Sequence, residues 1–548
     1  MRYNGKKQKG DAYGFAAFLS IVILFHSDLA SCRNHLRLLF HDQVFRKETT
    51  GGRRSQASMT SASLIGYGIL FGFGILFIAI AHTANQRYSH HTLEGFVLAG
   101  RALPFGYLSA ALFVSWTWTT SIIGSAEAAM QYGISGGINY TLWANLPFLL
   151  FIPFVVRLRR LMPEAMTVTE FIGERYNPLL KDIYFVFASV VAMFVLIEQA
   201  VGVGMVFEGV FQIPFKVTVF LTIMIVTVYI SMAGIRGAVY NSILQFVLIN
   251  ILFLLIIWVV LDKLDLNQIY EVLKQKAYAP DRADPGEMLR VNSIQGFKYG
   301  IIALVVATGQ IFLDQGWYSM SLSGSSTKNM VWGLIFGIFI LWMPIPLISA
   351  VIFGHGSLSL SMGVEVASST SDWPLYFMSH FSNAKYEMVF AMLIFIIGTG
   401  ASAKCLVGLQ ALFTVDYYKS KIKRDANTRE KIRFGRIIIV CLGFLCAAIA
   451  IALEGIPLLQ IDTFCGIFFA APCGALIGGM YYDKMNGRVA LVSIVLGLVA
   501  GFGTWLFREN GWFVGSILSL IVPVIVILAG ALFEKDRYNF YRLRQYRG

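Results

Sequence analysis

The stretch GTGASAKCLVGLQ, residues 398–410, places one cation, Lys404, inside an apolar run from Met388 to Phe413. A lysine at bilayer depth costs roughly 3 kcal/mol on insertion scales, so such residues persist where they do chemistry or pair with an acid. Three acids sit in comparable surroundings: Glu127, Glu198 in VLIEQAVGVG, and Asp314 in IFLDQGWYS. Lys404 therefore has three readings. It is an internal cation or proton carrier, the partner of Glu127, Glu198 or Asp314, or a snorkelling chain that reaches the loop near Asp416. Glu198, at mid-span beside Gln199, has the depth expected of a proton relay, and Asp314 is placed for gating or solute contact.

Two apolar stretches carry polar residues where a simple anchor would have none. Residues 105–133 hold Ser115, Thr117, Thr119, Thr120 and Ser121 beside Trp116 and Trp118. Residues 297–320 are interrupted by Thr308-Gly309-Gln310 and end on Asp314-Gln315. Helices of this composition unwind at mid-depth and offer carbonyls and helix ends to a solute or ion; the competing reading is close packing through small residues. Ser115, Trp116, Trp118, Thr119, Thr308, Gln310 and Gln315 are the candidate solute-pocket residues. A small polar solute would use such donors and acceptors against an aromatic wall.

The whole chain supplies the elements that position these residues. Its 548 residues are 57% hydrophobic and 14% charged, with mean hydropathy +0.66. No soluble domain hides that much apolar surface, and thirteen apolar stretches between 64–82 and 512–533 each approach the length of a membrane span. The chain is predicted to be an all-α polytopic membrane protein. Its +13 charge lies in loops, which speaks against a nucleic-acid partner and for a lipid bilayer. Loops 157–182 and 415–434 and the tail after 533 are rich in Lys and Arg, so they and the C-terminus are expected on the cytoplasmic side of the plasma membrane. The sequence has no phosphate loop and no HExxH pair, which leaves gradients or passive flow to drive it. No catalytic, metal or cofactor residues are predicted, and five of six cysteines lie in apolar stretches as packing residues.

The predicted organisation is an extension over 1–58, a first helix in 59–102, five spans in 103–261 and an external loop over 262–295. Five further spans follow in 296–481, then two extra helices and a basic tail in 482–548. The ten Lys and Arg of residues 1–58 conflict with an outside location, and a translation start at Met59 resolves that conflict. Nothing in the sequence specifies an oligomeric state.

LAGRALPFGYLSAALFVSWTWTTSIIGSAEAAMQYGISG (98–136) resembles the opening of the sodium:solute symporter superfamily. RRLMPEAMTVTEFIGERY (159–176), YISMAGIRGAVYNSILQ (229–245), ATGQIFLDQGWYS (307–319) and ASAKCLVGLQALFTVDYYK (401–419) resemble its urea active transporter branch. The resemblance implies a five-plus-five inverted-repeat core of the LeuT-like kind, and symport of a urea-like solute with protons or sodium by alternating access. An uncoupled facilitator and a transporter-fold sensor are the other readings. The resemblance also places a shared sodium site at the carbonyls of Val114, Thr117 and Ile397 and at two hydroxyl positions, here Gly400 and Ala401. Those hydroxyls are missing, although Thr399 and Ser402 flank them. Sodium needs about five or six oxygens. The position of Lys404 looks acidic in the urea branch, so the charge is reversed here, which implies a neutral or anionic solute ahead of a polyamine. Lys404→Met is expected to abolish coupled uptake with the fold largely retained.

Overall fold

The computed structural model describes residues 61–547 apart from 88–91, 281–283, 361–372, 382–383, 457 and 509–510. The expectations for 1–58 lie outside the described residues, as does part of 355–385, which the sequence predicts to be a second long external loop. The architecture is helical: α1 (Ser61–Arg87), α2 (Phe105–Trp116), α3 (Thr119–Tyr132), α4 (Ile134–Leu161), α5 (Pro178–Phe211) and α6 (Phe215–Lys263). It continues with α7 (Ile294–Leu313), α8 (Gln315–Leu322), α9 (Thr327–Leu334, prolonged by further helical turns to Leu358) and α10 (Ala384–Ala411). The series ends with α11 (Thr428–Ala452), α12 (Leu458–Ala470), α13 (Cys473–Tyr481), α14 (Gly487–Phe507) and α15 (Gly511–Phe533).

Ten helices among the described residues are long and apolar enough to cross a membrane. One of them, α6, makes two passes, because Gly234 takes φ 56°, ψ −142° within it, a conformation open to glycine. Both Tyr229 and Gln245 reach Thr399 with hydrogen bonds of 3.3 Å. A straight helix would hold those two residues about 24 Å apart, so the chain doubles back at Gly234. The pairs α2–α3 and α12–α13 each add one pass in two pieces. The ten helices, one counted twice, and these two broken passes give the thirteen passes predicted.

The break between α2 and α3 falls at Thr117-Trp118, inside the polar cluster singled out in the sequence. Gln199 Oε1 accepts from the Thr119 amide at 2.8 Å, and Ser121 Oγ from the Trp118 amide at 3.0 Å, so the freed donors are satisfied. The second break differs from expectation. Helix α7 runs unbroken through Thr308-Gly309-Gln310 and ends at Asp314, whose backbone is extended (φ −73°, ψ 110°). The Thr308 hydroxyl donates to Leu304 O at 2.7 Å, and Gly309 lets the backbone of Phe469 approach, where a Cβ would sit 2.4 Å from Phe469 Cβ. Those small and hydroxyl residues serve packing. Asp314 makes the interruption, with its carboxylate accepting from the Gly316 amide at 2.7 Å to start α8.

On the side bearing the basic loops, the tail after α15 lies across the short helix Val168–Arg175. The guanidinium of Arg175 stands 4.1 Å from the ring of Tyr538, Arg547 pairs with Glu164 at 2.6 Å, and Tyr546 donates to Glu170 Oε1 at 2.6 Å. Glu170 Oε2 caps that helix by accepting from the amides of Met166 and Thr167. Burial, followed by the Glu170 charge, pushes the Tyr546 phenol above its ordinary range, so it stays a donor at neutral pH. Tyr546→Phe is expected to loosen this strap and speed tryptic cleavage at Arg542 and Arg544 severalfold, with little change in cleavage at Lys419 or Lys421. Time-resolved digestion with mass-spectrometric readout measures it.

Candidate solute and ion site

The break between α2 and α3 opens onto a cavity. Trp116, Trp118, Thr120 and Ser121 line it from the break, Tyr140 from α4, Tyr299 and Gln310 from α7, Trp342 from the helix continuing α9, and Asp462 from α12. Its volume is about 30 Å³, small beside the roughly 300–1,000 Å³ of sites for drug-sized ligands and on the scale of a solute of a few heavy atoms. The aromatic wall is rigid. Trp116 packs edge-on against Trp118, Phe148 and Trp317 at centroid distances of 5.0, 5.1 and 5.4 Å. Each indole of the wall is anchored: Trp116 donates to Asn145 Oδ1 at 2.7 Å, Trp118 to Ser115 O at 2.8 Å and Trp342 to Ser121 Oγ at 3.1 Å.

Of the seven pocket residues predicted, the cavity gathers Trp116, Trp118 and Gln310. Ser115 contributes only its carbonyl to Trp118, Thr119 packs against Gly202, and Thr308 bonds back into its own helix. Gln315 points to the basic side, where its Oε1 accepts from the Val168 amide at 2.9 Å and its Nε2 donates to Met166 O at 3.0 Å. Tyr140, Tyr299, Trp342 and Asp462 were not singled out in the sequence. Asp462 could have been, since it is an acid within the apolar run LLQIDTFCGIFFA, the same signal that marks Lys404. The tyrosines and Trp342 carry no such signal, because aromatic residues in packed helices are common.

Behind the wall, Lys404 Nζ meets Asp314 Oδ2 at 2.5 Å, with both side chains fully buried. Two indole faces flank the ammonium, that of Trp317 at 4.4 Å and that of Trp118 at 5.3 Å, a cation–π setting of high strength in a dry site. The pairing leaves no place for snorkelling. Asp416, towards which the chain would have reached, is held instead by Lys181 at 3.0 Å. The break that shapes α8 also delivers Asp314, and two glycines bring α8 and α10 together. A Cβ on Gly316 would lie 2.6 Å from Lys404 O, and one on Gly408 2.5 Å from Gly316 N. Glu198 is fully buried on α5, and neither of its carboxylate oxygens has a hydrogen-bond partner among the described residues. The Asp462 and Lys404 charges both act on it.

The sodium-site region lies where α2 meets α10. Gly400 abuts Val114, whose Cγ1 would stand 2.3 Å from an added Cβ, and Ala401 is fully buried beside it. The Thr399 hydroxyl donates within its own helix, to Phe395 O at 2.8 Å or Ile396 O at 3.1 Å, and accepts from Gln245. Thr117 likewise bonds back to Phe113 O at 2.8 Å. Ser402 is buried with no partner for its hydroxyl among the described residues. Val114 and Gly400 thus meet in a close apolar contact, and the side chains at Gly400 and Ala401 bring no oxygen to it.

One broken helix at an aromatic-walled cavity and a second break at a buried ion pair, in an all-helical bundle, are the arrangement expected of a secondary active transporter of the inverted-repeat class. The chain belongs to the sodium:solute symporter family, which it matches over residues 96–497. Among its relatives, Probable urea active transporter 1 of Schizosaccharomyces pombe is 24% identical, across 87% of this chain and 78% of that protein. Urea-proton symporter DUR3 of Oryza sativa subsp. japonica is 22% identical, across 88% and 72%. The fold is that of a Na+-coupled sialic acid symporter in its substrate-bound outward-open state, with TM-score 0.69, 17% identity and coverage of 87% of this chain and 98% of that one. Mhp1, a nucleobase-cation-symport-1 family transporter, aligns with TM-score 0.53 at 12% identity, over 82% of this chain and 98% of that one. The protein is a membrane-embedded symporter of a small solute, and not an enzyme.

Proposed function

We propose that the protein is a proton-coupled symporter of urea or a closely similar neutral amide, working at the plasma membrane with its C-terminus in the cytoplasm. The repeats would be 103–261 and 296–481, with the loop 262–295 between them, a leading helix in 59–102 and the helices and tail of 482–548 outside the core. One observation carries the choice of ion. Where the family places sodium, two hydroxyls are replaced by Gly400 and Ala401, and the Val114 side chain fills the contact. Meanwhile Lys404 supplies a fixed positive charge within a turn of that position, paired to Asp314. A tethered ammonium takes over the electrostatic role of the missing cation, and a proton carries the gradient energy. Urea fits the small aromatic cavity. Its two amino groups match acceptors such as Gln310 Oε1, Asp462 and the tyrosine hydroxyls, and its carbonyl matches the donors among them. The relatives named as urea active transporters and a urea-proton symporter support the same solute.

Radiolabelled urea uptake into proteoliposomes, with a proton gradient, a sodium gradient or neither, is the test. Accumulation under the proton gradient alone is expected. Accumulation only with sodium would overturn the coupling ion and would point to Ser402 and Thr399 as rebuilt ligands. Equal flux under all three conditions would make the protein a facilitator.

A further inference from the structure

The cavity contains one carboxylate, Asp462, and the charge around it does not balance. Gln310 Nε2 donates to Asp462 Oδ1 at 2.7 Å, and no cation pairs with Asp462 among the described residues. Among the described residues, the elements packed on α12 pair no cation with this carboxylate, and Lys298 of α7 is exposed. Tyr140 of α4 and Tyr299 of α7 face Asp462 with neutral phenols, and Glu127 of α3 acts on those same tyrosines. Glu198 of α5 adds a second acid. On α13, Cys473 donates its thiol to Phe469 O, and Tyr481 lies at the far end of that helix. Helix α14 has only Arg488, in its first turn, and α15 has no titratable residue. The buried cation Lys404 is already matched by Asp314. A carboxylate in a small, largely aromatic cavity without a counter-charge is costly, so a proton or a cation in the cavity neutralises it.

We propose that Asp462 is the residue that binds the coupling proton, in direct view of the solute. On the loading side the carboxylate takes one proton as a neutral solute enters, and its O–H becomes a donor into the cavity. On the opposite side solute and proton leave together, the proton passes to water, and the carboxylate is restored. One proton therefore moves per solute. The same geometry defines a second ligand class. A planar cation of urea shape, the guanidinium ion, replaces solute and proton together. Its charge meets the ionised carboxylate, and its face stacks on the indoles of Trp116, Trp118 and Trp342. The pairing of Lys404 with Asp314 offsets the charge on which the expectation against cationic solutes rested.

This inference rests on the proposed proton-coupled reading, and the test separates the two. In full-length protein reconstituted in proteoliposomes, guanidinium is expected to compete with radiolabelled urea at least tenfold more strongly at pH 8 than at pH 6. In Asp462→Asn, an uncharged isostere, the residual urea flux is expected to ignore an imposed proton gradient, and the pH dependence of guanidinium competition to vanish. Proton-driven accumulation retained in Asp462→Asn would overturn the assignment. If the unaltered protein moves no urea under any gradient, the functional reading fails alone. Guanidinium-induced thermal stabilisation, measured at pH 6 and pH 8 in both proteins, then decides: a pH-dependent shift lost in Asp462→Asn upholds the site, and an identical shift in both rejects it.

Discussion

Lys404→Met is expected to abolish gradient-driven uptake and to destabilise the protein severely. The substitution strands the Asp314 carboxylate in a fully buried site, beside two indole rings that favour a cation and not an anion. Breaking one half of a buried pair costs about 3–5 kcal/mol, a large share of the stability of most folded proteins. Asp314→Asn is the mirror case, with an unpaired ammonium and a weakened cap on α8, and should be comparably damaging. The fold retention expected for Lys404→Met from sequence alone now belongs to a double variant. Lys404→Met with Asp314→Leu replaces both charges by apolar groups of similar size, a change that is often neutral or stabilising, offset here by about 1 kcal/mol for the lost cap on α8. Melting temperature in detergent and uptake in proteoliposomes are the paired measurements. A double variant that is stable but does not accumulate solute assigns the pair to coupling. One that is stable and accumulates normally would show that the pair is only structural.

Gly316→Ala is the second large effect, and it leaves every charge in place. The new Cβ would stand 2.6 Å from Lys404 O and 2.8 Å from Lys404 Cγ. A backbone carbonyl on a packed helix cannot swing aside, so α8 must withdraw from α10 and carry Asp314 with it. Overpacking of this kind costs about 1–3 kcal/mol. The functional loss should exceed what that figure implies, because the ion-pair distance changes as well. Uptake reduced at least tenfold with a modest drop in melting temperature is expected, whereas near-normal uptake would show that α8 and α10 can separate freely.

The helices were legible because each apolar run is long and the bilayer demands internally bonded backbone. The first break was legible because hydroxyls and tryptophans coincide at 115–121. The second was misplaced because small and hydroxyl residues have two uses in membrane helices. Gly309 packs α7 against Phe469 and Thr308 bonds back into its own helix, whereas the interruption comes from Asp314, whose carboxylate caps the next helix. Partner choice was also beyond the sequence. Glu127, Glu198 and Asp314 are alike in type and depth, and only the Gly316–Gly408 approach of α8 to α10 selects Asp314 for Lys404. The solute wall was half legible, since Trp116 and Trp118 adjoin a recognisable break, whereas Tyr140, Tyr299, Trp342 and Asp462 reach it from four separate helices. Sequence spacing carries no record of that convergence.

Urea-evoked proton entry into sodium-free proteoliposomes, read with a trapped pH-sensitive dye, tests proton coupling most directly. Addition of urea should acidify the lumen at a rate proportional to urea influx, with no response to added sodium and none in empty vesicles. Urea entry without acidification, or acidification that requires sodium, would contradict a proton-coupled symporter.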